Sequence, residues 1–474
     1  MNKDAKIMFI YPPISKHEKY SSDIGNSGGR QIPLGIYYLA SYMRSKGYEV
    51  YAIDAEAEEL SVCDIIRKVE DFNPDFIGIS STTVAFHRAL EVAQEVKKKF
   101  SIPIILGGAH ITSNHAHAMS FPVFDYGVFG EGEITLYELC EALLKDYFLD
   151  DVLGIIYRCE NSTLKKNKSR PLIEDLDIVP FPAYDLIPDM GKYTPNPSAY
   201  KMLPVRSLIT SRGCPGQCTF CDKNLFGSKY RKRSAQNVFD EIMFLRKNYG
   251  VKEIDFVDDT FLIDKQRAFK LFELLKSAEV FIYWSCKGRI NDMDEEMIAF
   301  AKKNGCWKIQ FGIESGDENI LKVIKKNTSN KKVKDVISLC KKYKIETGGY
   351  FIVGHPTESL ESIDETIKFA LTLPLDNIIV TINTPIPGTP QYKEASKYGV
   401  LDETDWSQFN LWRPVFIPRG LSHEILLSKH KEFYRRFYLR PRILLKFAMS
   451  FFGSGGFGRF LAILKSSKFL LCKS

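Results

Sequence analysis

Short apolar runs alternate with helical patterns along the first 145 residues. KIMFIY (6–11), EVYAID (49–54), DFIGIS (75–80), IPIILGG (102–108) and DYGVFG (125–130) read as five buried strands. Between them PLGIYYLASYMRSKG, SVCDIIRKVEDF and TVAFHRALEVAQEVKKKF hold apolar residues near helical spacing. That alternation predicts an α/β unit over 1–145 with a doubly wound, Rossmann-like parallel sheet. Ligands of such sheets lie beyond the carboxyl ends of the strands, where this chain carries PPISKHEKYSSDIGNSGG, SSTT, GGAHIT and GEGE.

The rhythm stops over 146–200. VPFPAYDLIPDMGKYTPNPSAY holds prolines at 180, 182, 188, 195 and 197, which fix φ and remove backbone donors, so a linker or an extended strap is expected. A second alternation begins at SLIT (207–210) and continues through EIDFV (253–257), YWSC (283–286), KIQFGI (308–313), TGGYFIV (347–353) and NIIVTIN (377–383). Six strand–helix units over 201–400 predict a partial (β/α)6 barrel of the TIM type, with its chemistry at the carboxyl ends of the strands. Residues 401–474 are expected to form a C-terminal helical extension.

Composition narrows the classes. The chain has 474 residues, 45% hydrophobic and 26% charged, which is globular and too long for one ordinary domain. Ten cysteines are too few and too scattered for a disulfide scaffold, and MNKDAKIMFIYPP has no apolar signal region. A cytoplasmic, reducing setting is therefore expected, where closely spaced cysteines bind metal or do redox chemistry. The net charge of +7 is modest, and no RNA-binding appendage is recognisable, so no nucleic-acid partner is expected.

SRGCPGQCTFCD (211–222) places Cys214, Cys218 and Cys221 at the spacing C-x3-C-x2-C, directly after the first barrel strand. Four cysteines would close a zinc site or fully ligate an iron–sulfur cluster. Three thiolates leave one iron of a cubane open to another ligand; three buried thiols or an incomplete zinc site is the bland alternative.

With Phe220 as the aromatic of C-x3-C-x-aromatic-C, the loop resembles the signature of the radical S-adenosylmethionine (radical SAM) superfamily. The similarity continues strand by strand. FVDDTF (256–261), with Asp258 and Asp259, resembles the acidic turn near the methionine end of SAM, although one of the pair could instead cap the following helix. GIESG (312–316) resembles the segment in which Glu314 and Ser315 approach ribose or the amino acid moiety. IVGHPTES (352–359) resembles the Gly-x-Pro segment, in which Gly354 and Pro356 shape the adenine site, and TPIPGTP (384–390) resembles the segment after the sixth strand. The resemblance implies a 4Fe–4S cluster on Cys214, Cys218 and Cys221, with SAM on the open iron. It further implies reductive cleavage of SAM to methionine and a 5′-deoxyadenosyl radical. Gly213, Pro215 and Gly216 suit a loop that wraps a cluster.

A doubly wound domain ahead of this barrel resembles the cobalamin-binding domain of the class B radical SAM enzymes. Ser80, Thr82, Gly107 and Gly108 fall where that domain meets cobalamin. The D-x-H-x-x-G motif is absent; His17 stands after the first strand without its flanking Asp and Gly, and His110 equally suits a loop hydrogen bond. A degenerate domain acting only as a lid is the alternative. The resemblance implies methylation of an unactivated carbon of a small-molecule or lipid substrate, with a reductant such as flavodoxin or ferredoxin. Its cyclase relatives, which act on magnesium-protoporphyrin ester, and a non-enzymatic cobalamin or redox sensor are the other outcomes. The SAM-side segments speak against a sensor.

Cys306 and Cys340 read as core thiols, and so does Cys286, whose alternative is to point into the barrel and act on the substrate. Arg289, at the end of the third barrel strand, reads either as a carboxylate holder or as a structural ion pair. No acidic residue follows Glu432, and 439–474 carries seven Lys/Arg among apolar runs broken by GSGG, too short to span a bilayer. Two readings of 440–474 stand: peripheral contact with the inner membrane face, or a helical hairpin capping the barrel.

Overall fold

The computed structural model describes residues 5–20, 29–159 and 161–451. The N-terminal sheet is built from β1 (Lys6–Tyr11), β2 (Glu49–Asp54), β3 (Phe76–Ser80), β4 (Ile104–Gly107), β5 (Tyr126–Val128), β6 (Ile155–Arg158) and β7 (Leu164–Lys166). Its order is β2-β1-β3-β4-β5-β6-β7, parallel through β5 and antiparallel beyond. The five expected strands are present because both faces are covered: Ile7, Phe9, Ile10, Ile77 and Leu106 are buried. The chain switches direction between β1 and β3, which places a ligand crevice at their carboxyl ends.

Residues 146–200 are more than a linker, a correction to the expectation. Their first part supplies β6 and β7, which extend the sheet edge. The rest is a packed strap: Ala183 N donates to Tyr37 O at 3.0 Å, the Tyr193 hydroxyl donates to Asp54 at 2.7 Å, and the Tyr184 hydroxyl donates to Glu241 at 2.8 Å. The prolines keep it extended, while Ile173, Leu176, Val179, Tyr184 and Ile187 are buried.

The second unit contains β8 (Val205–Leu208), the short pair β9 (Ser211–Arg212) and β10 (Arg231–Lys232), then β11 (Glu253–Phe256), β12 (Tyr283–Gly288), β13 (Cys306–Glu314), β14 (Glu346–Val353) and β15 (Asn377–Ile382). Six of these form one parallel sheet in the order β15-β14-β13-β12-β11-β8, an open partial barrel. An unpaired edge strand invites association. At β15 the helix His423–Tyr438 covers it: Val380 N and Ile378 N donate to the hydroxyls of Tyr434 and Tyr438 at 2.9 and 3.1 Å. The same hydroxyls donate back to Val380 O and Ile378 O at 3.1 and 2.9 Å, so two tyrosines stand in for a missing strand.

A hairpin, β16 (Gly399–Leu401) with β17 (Phe416–Pro418), precedes that helix. In the following helix, Pro441–Phe451, Arg442 donates to Pro374 O at 2.9 Å and Lys446 to Asp376 at 2.9 Å, against the barrel. The remainder of the tail expected at a membrane, 452–474, lies outside the described residues. Among the described residues no helix is long and apolar enough to cross a membrane.

Candidate active site

The strand ends of both units open into one cavity of about 1390 Å³. This exceeds the roughly 300–1,000 Å³ of an ordinary small-molecule pocket, as a chamber shared by several ligands would. Cys214, Cys218 and Cys221 line it with Phe220. The N-terminal unit contributes Lys19 and Tyr20 after β1 and Val84 after β3, on the two sides of the switch point. A third wall, Phe409 to Trp412, is tied back to the N-terminal unit: Asn410 donates to Glu18 O at 3.3 Å, and the Trp406 ring packs 5.3 Å from His117.

The cysteine loop is held from below. Gly213 has φ +89°, and a Cβ there would stand 2.2 Å from Lys229 O, so the close crossing requires glycine. Asp258 does not line the cavity and is corrected from a SAM-side ligand to an anchor. Its carboxylate accepts from Thr210 N at 2.5 Å, the Thr210 hydroxyl at 2.5 Å and Ser211 N at 2.8 Å, at the root of the loop. Asp259 is the member of the pair that faces the cavity; burial lifts its carboxyl above the ordinary range and Lys287 opposes that.

Beneath the loop lies a buried ion cluster. Glu131, after β5, accepts from Arg212 and Arg231 at 2.9 Å each, and Glu133 accepts from Arg212 at 2.5 Å. All four side chains are at most 7% exposed. GEGE thus clamps the N-terminal unit to the strand that delivers Cys214. The Ser113 hydroxyl adds a second tie, donating to Asp222 next to Cys221.

Among the described residues no three His, Cys, Asp or Glu side chains converge on one ion position. A cubane cluster calls for something else, single thiolates on separate irons, and three cysteines spread around one loop suit it. Burial, and after it Asp259, push the Cys221 thiol up to about 12, and burial also raises Cys218. Such thiols give up their protons to iron rather than to water.

The residues expected at SAM divide. Glu314 lines the cavity, with φ +68° and an ion pair to Lys326 at 2.7 Å. Ser315 turns away, its hydroxyl 2.9 Å from that of Thr366, so it braces the turn instead of facing the cavity. Gly354 and Pro356 flank His355, which is fully buried with neither ring nitrogen bonded among the described residues. The His355 ring lies 5.9 Å from Phe220. Asn383 Nδ2 and both side-chain polar atoms of Gln391 are likewise buried and unpartnered, and Gln391 N donates to Thr219 O of the cysteine loop at 3.0 Å. Buried polar groups are costly unless bonded, so these orphans fit a ligand rich in donors and acceptors, such as an adenine.

Glu358 closes this floor, accepting from His355 N at 2.9 Å and from Gly354 N. Burial raises its carboxyl from 4.5 to about 8, against the pull of those two backbone donors. The neutral form is favoured in the fold, so its stabilisation is complete below pH ~4.5 and is lost as pH rises through about 8. Glu358→Gln should leave the thermal midpoint of the cofactor-free protein unchanged near pH 4. It should raise it at pH 9, by an amount equivalent to a few kcal/mol. An equal shift at both pH values would contradict the assignment.

Of the residues expected at cobalamin, Ser80, Thr82, Gly107 and Gly108 do not line the cavity, although Val84 beside them does; Thr82 is exposed and the other three are half-buried. Gly108, at φ +98°, lets β4 end against Ser81, whose carbonyl a Cβ would meet at 2.6 Å. His17 is exposed and does not line the cavity. His110 is buried and bonded, to the Thr83 hydroxyl at 3.2 Å and His117 at 3.0 Å. Cys286, Cys306 and Cys340 are core thiols as expected. Arg289 lines the cavity and forms an ion pair with Asp292 at 3.8 Å, the second of its two readings.

Residues 208–370 match the model of the Radical SAM superfamily, and residues 21–140 match that of the B12 binding domain. An uncharacterized methyltransferase of Pyrococcus horikoshii is 36% identical over 447 residues, 94% of this chain and 95% of that one. The anaerobic magnesium-protoporphyrin IX monomethyl ester cyclase of Rubrivivax gelatinosus is 28% identical over 451 residues, 93% and 78% of the two chains. Among solved structures, the cobalamin-dependent S-adenosylmethionine radical enzyme OxsB with aqua-cobalamin bound superposes with a TM-score of 0.75 at 19% identity, over 97% of this chain and 72% of that one.

Proposed function

The chain belongs to the radical SAM enzymes that carry an N-terminal cobalamin-binding domain, and from that membership we propose that it methylates an unactivated carbon of a small-molecule or lipid substrate. One observation carries the reading: the cysteine loop, Glu314 and the switch point of the N-terminal sheet open into a single cavity. Cys214, Cys218 and Cys221 would hold the 4Fe–4S cluster, the floor around His355 and Glu314 would hold SAM, and the loops after β1, β3 and β4 would hold cobalamin. Once bound, these groups supply reductive cleavage of SAM and a methyl group carried on cobalt.

The chain's own part is placement and exclusion of water. Asp258 and the Glu131–Arg212–Arg231 cluster fix the cysteine loop against both units. Lys326 balances the Glu314 charge beside Cys218, and Phe409, Leu411 and Trp412 give the cavity an apolar wall. A reductant such as flavodoxin or ferredoxin is required. The likeness to the Rubrivivax gelatinosus cyclase favours ring formation as the second reading.

Methyl-labelled SAM, given to the reduced, cobalamin-loaded protein with extracts of its source, separates the two. Methyl transfer puts the label into a new product alongside 5′-deoxyadenosine. Formation of 5′-deoxyadenosine without any transferred label would reject methylation and leave ring formation.

A further inference from the structure

The cavity is uneven in charge. The wall from β12 and the segment after β13 carries Lys287, Arg289, Lys322, Lys325 and Lys332. Among the described residues two carboxylates line the cavity, Asp259 and Glu314, and Glu314 is already paired with Lys326. The side chains of Lys322, Lys325 and Lys332 make no hydrogen bond or ion pair with any described residue. Thr328, on the same segment, lines the cavity with a buried hydroxyl oxygen that has no described partner. The adjoining wall, from β14, β15 and the 409–412 turn, is apolar and aromatic: Tyr350, Ile352, Ile379, Leu411 and Trp412.

We propose that the lysine wall formed by Lys322, Lys325 and Lys332, with the Thr328 hydroxyl, binds an anionic group of the substrate, a carboxylate or a phosphate, while the apolar body of that substrate lies against Ile352, Ile379 and Trp412. The inference rests on the reading of this cavity as the reaction chamber and names the substrate class within it. Three like charges on one short segment repel one another, and an anion among them removes that repulsion. Lysines bind as point charges without the planar fork of arginine, so the wall itself accepts either anion. Their exposure makes the attraction sensitive to salt. Lys326, engaged with Glu314 beside Cys218, belongs to the cofactor side.

The test uses the full chain, reconstituted anaerobically with cluster and cobalamin, and three probes of one chain length: decanoate, decyl phosphate and decanol. Equilibrium dialysis should show at least one anion binding about tenfold or more tightly than decanol, with the preference shrinking as salt rises. The triple substitution Lys322→Gln, Lys325→Gln, Lys332→Gln should abolish the preference. Lys303→Gln, Lys341→Gln, Lys344→Gln, which changes the net charge equally at exposed positions outside the cavity, should keep it. Preference for decanoate assigns a carboxylate, and preference for decyl phosphate assigns a phosphate. Equal binding of all three probes, or a preference that survives the first triple or is lost in the second, overturns the proposal. Cobalamin content and reductive SAM cleavage, measured on the same preparation, report separately on the reading of the chamber.

Discussion

Cys218→Ala is expected to abolish reductive SAM cleavage and to take bound iron from about four per chain to almost none. Cys214, Cys218 and Cys221 share one loop and one cavity, so loss of any thiolate leaves a cubane iron without its protein ligand. The control is Cys286→Ala. That thiol is fully buried in the barrel, where burial raises its pKa well above the ordinary value, and it does not line the cavity. Iron and activity should survive there, at a modest cost in stability from the lost sulfur. Iron retained in Cys218→Ala, or lost equally in Cys286→Ala, would contradict the assignment of the loop.

The second large effect is structural. Glu131→Ala leaves Arg231 buried without its carboxylate and Arg212 with Glu133 alone, and removes the acceptor of Ile173 N at 2.8 Å. Breaking a buried pair by deleting one partner costs about 3–5 kcal/mol, because the surviving charges cannot reach water. Urea unfolding of the cofactor-free protein should show a loss of that size, and cluster loading should fall with it, since Arg212 lies two residues before Cys214. Glu131→Gln, which keeps an acceptor and the shape, should lose less. A change within ~0.5 kcal/mol for Glu131→Ala would show that the clamp does not hold the loop.

Much of this architecture could be read from the chain. The eleven parallel strands announce themselves as β-branched and aromatic runs between helical patterns, because both faces of each sheet are covered. β6 and β7 are not legible in the same way: β7 is three residues long and wholly exposed, and β6, although buried at Ile155, Ile156 and Tyr157, stands at an antiparallel edge outside the strand–helix alternation. The three cysteines were legible because their spacing is local. Asp258 and Asp259 could not be told apart, since adjacent residues at a strand end point to opposite sides, and one anchors while the other faces the cavity. GEGE was placed correctly at a strand end, but its partners Arg212 and Arg231 lie 81 and 100 residues away from Glu131, a separation no local pattern reports. His355, Glu358, Asn383 and Gln391 look ordinary in sequence. What marks them is burial, with His355, Asn383 and Gln391 keeping unpartnered side-chain atoms and Glu358 one unpartnered oxygen.

The most direct test of the account is the cobalamin and iron content of one anaerobic preparation of the reconstituted full-length protein. The account predicts one cobalamin and about four iron per chain, held together in the shared cavity. About four iron with no cobalamin would contradict it, leaving the N-terminal unit as a lid over the cluster and removing the methyl carrier on which the proposed reaction depends.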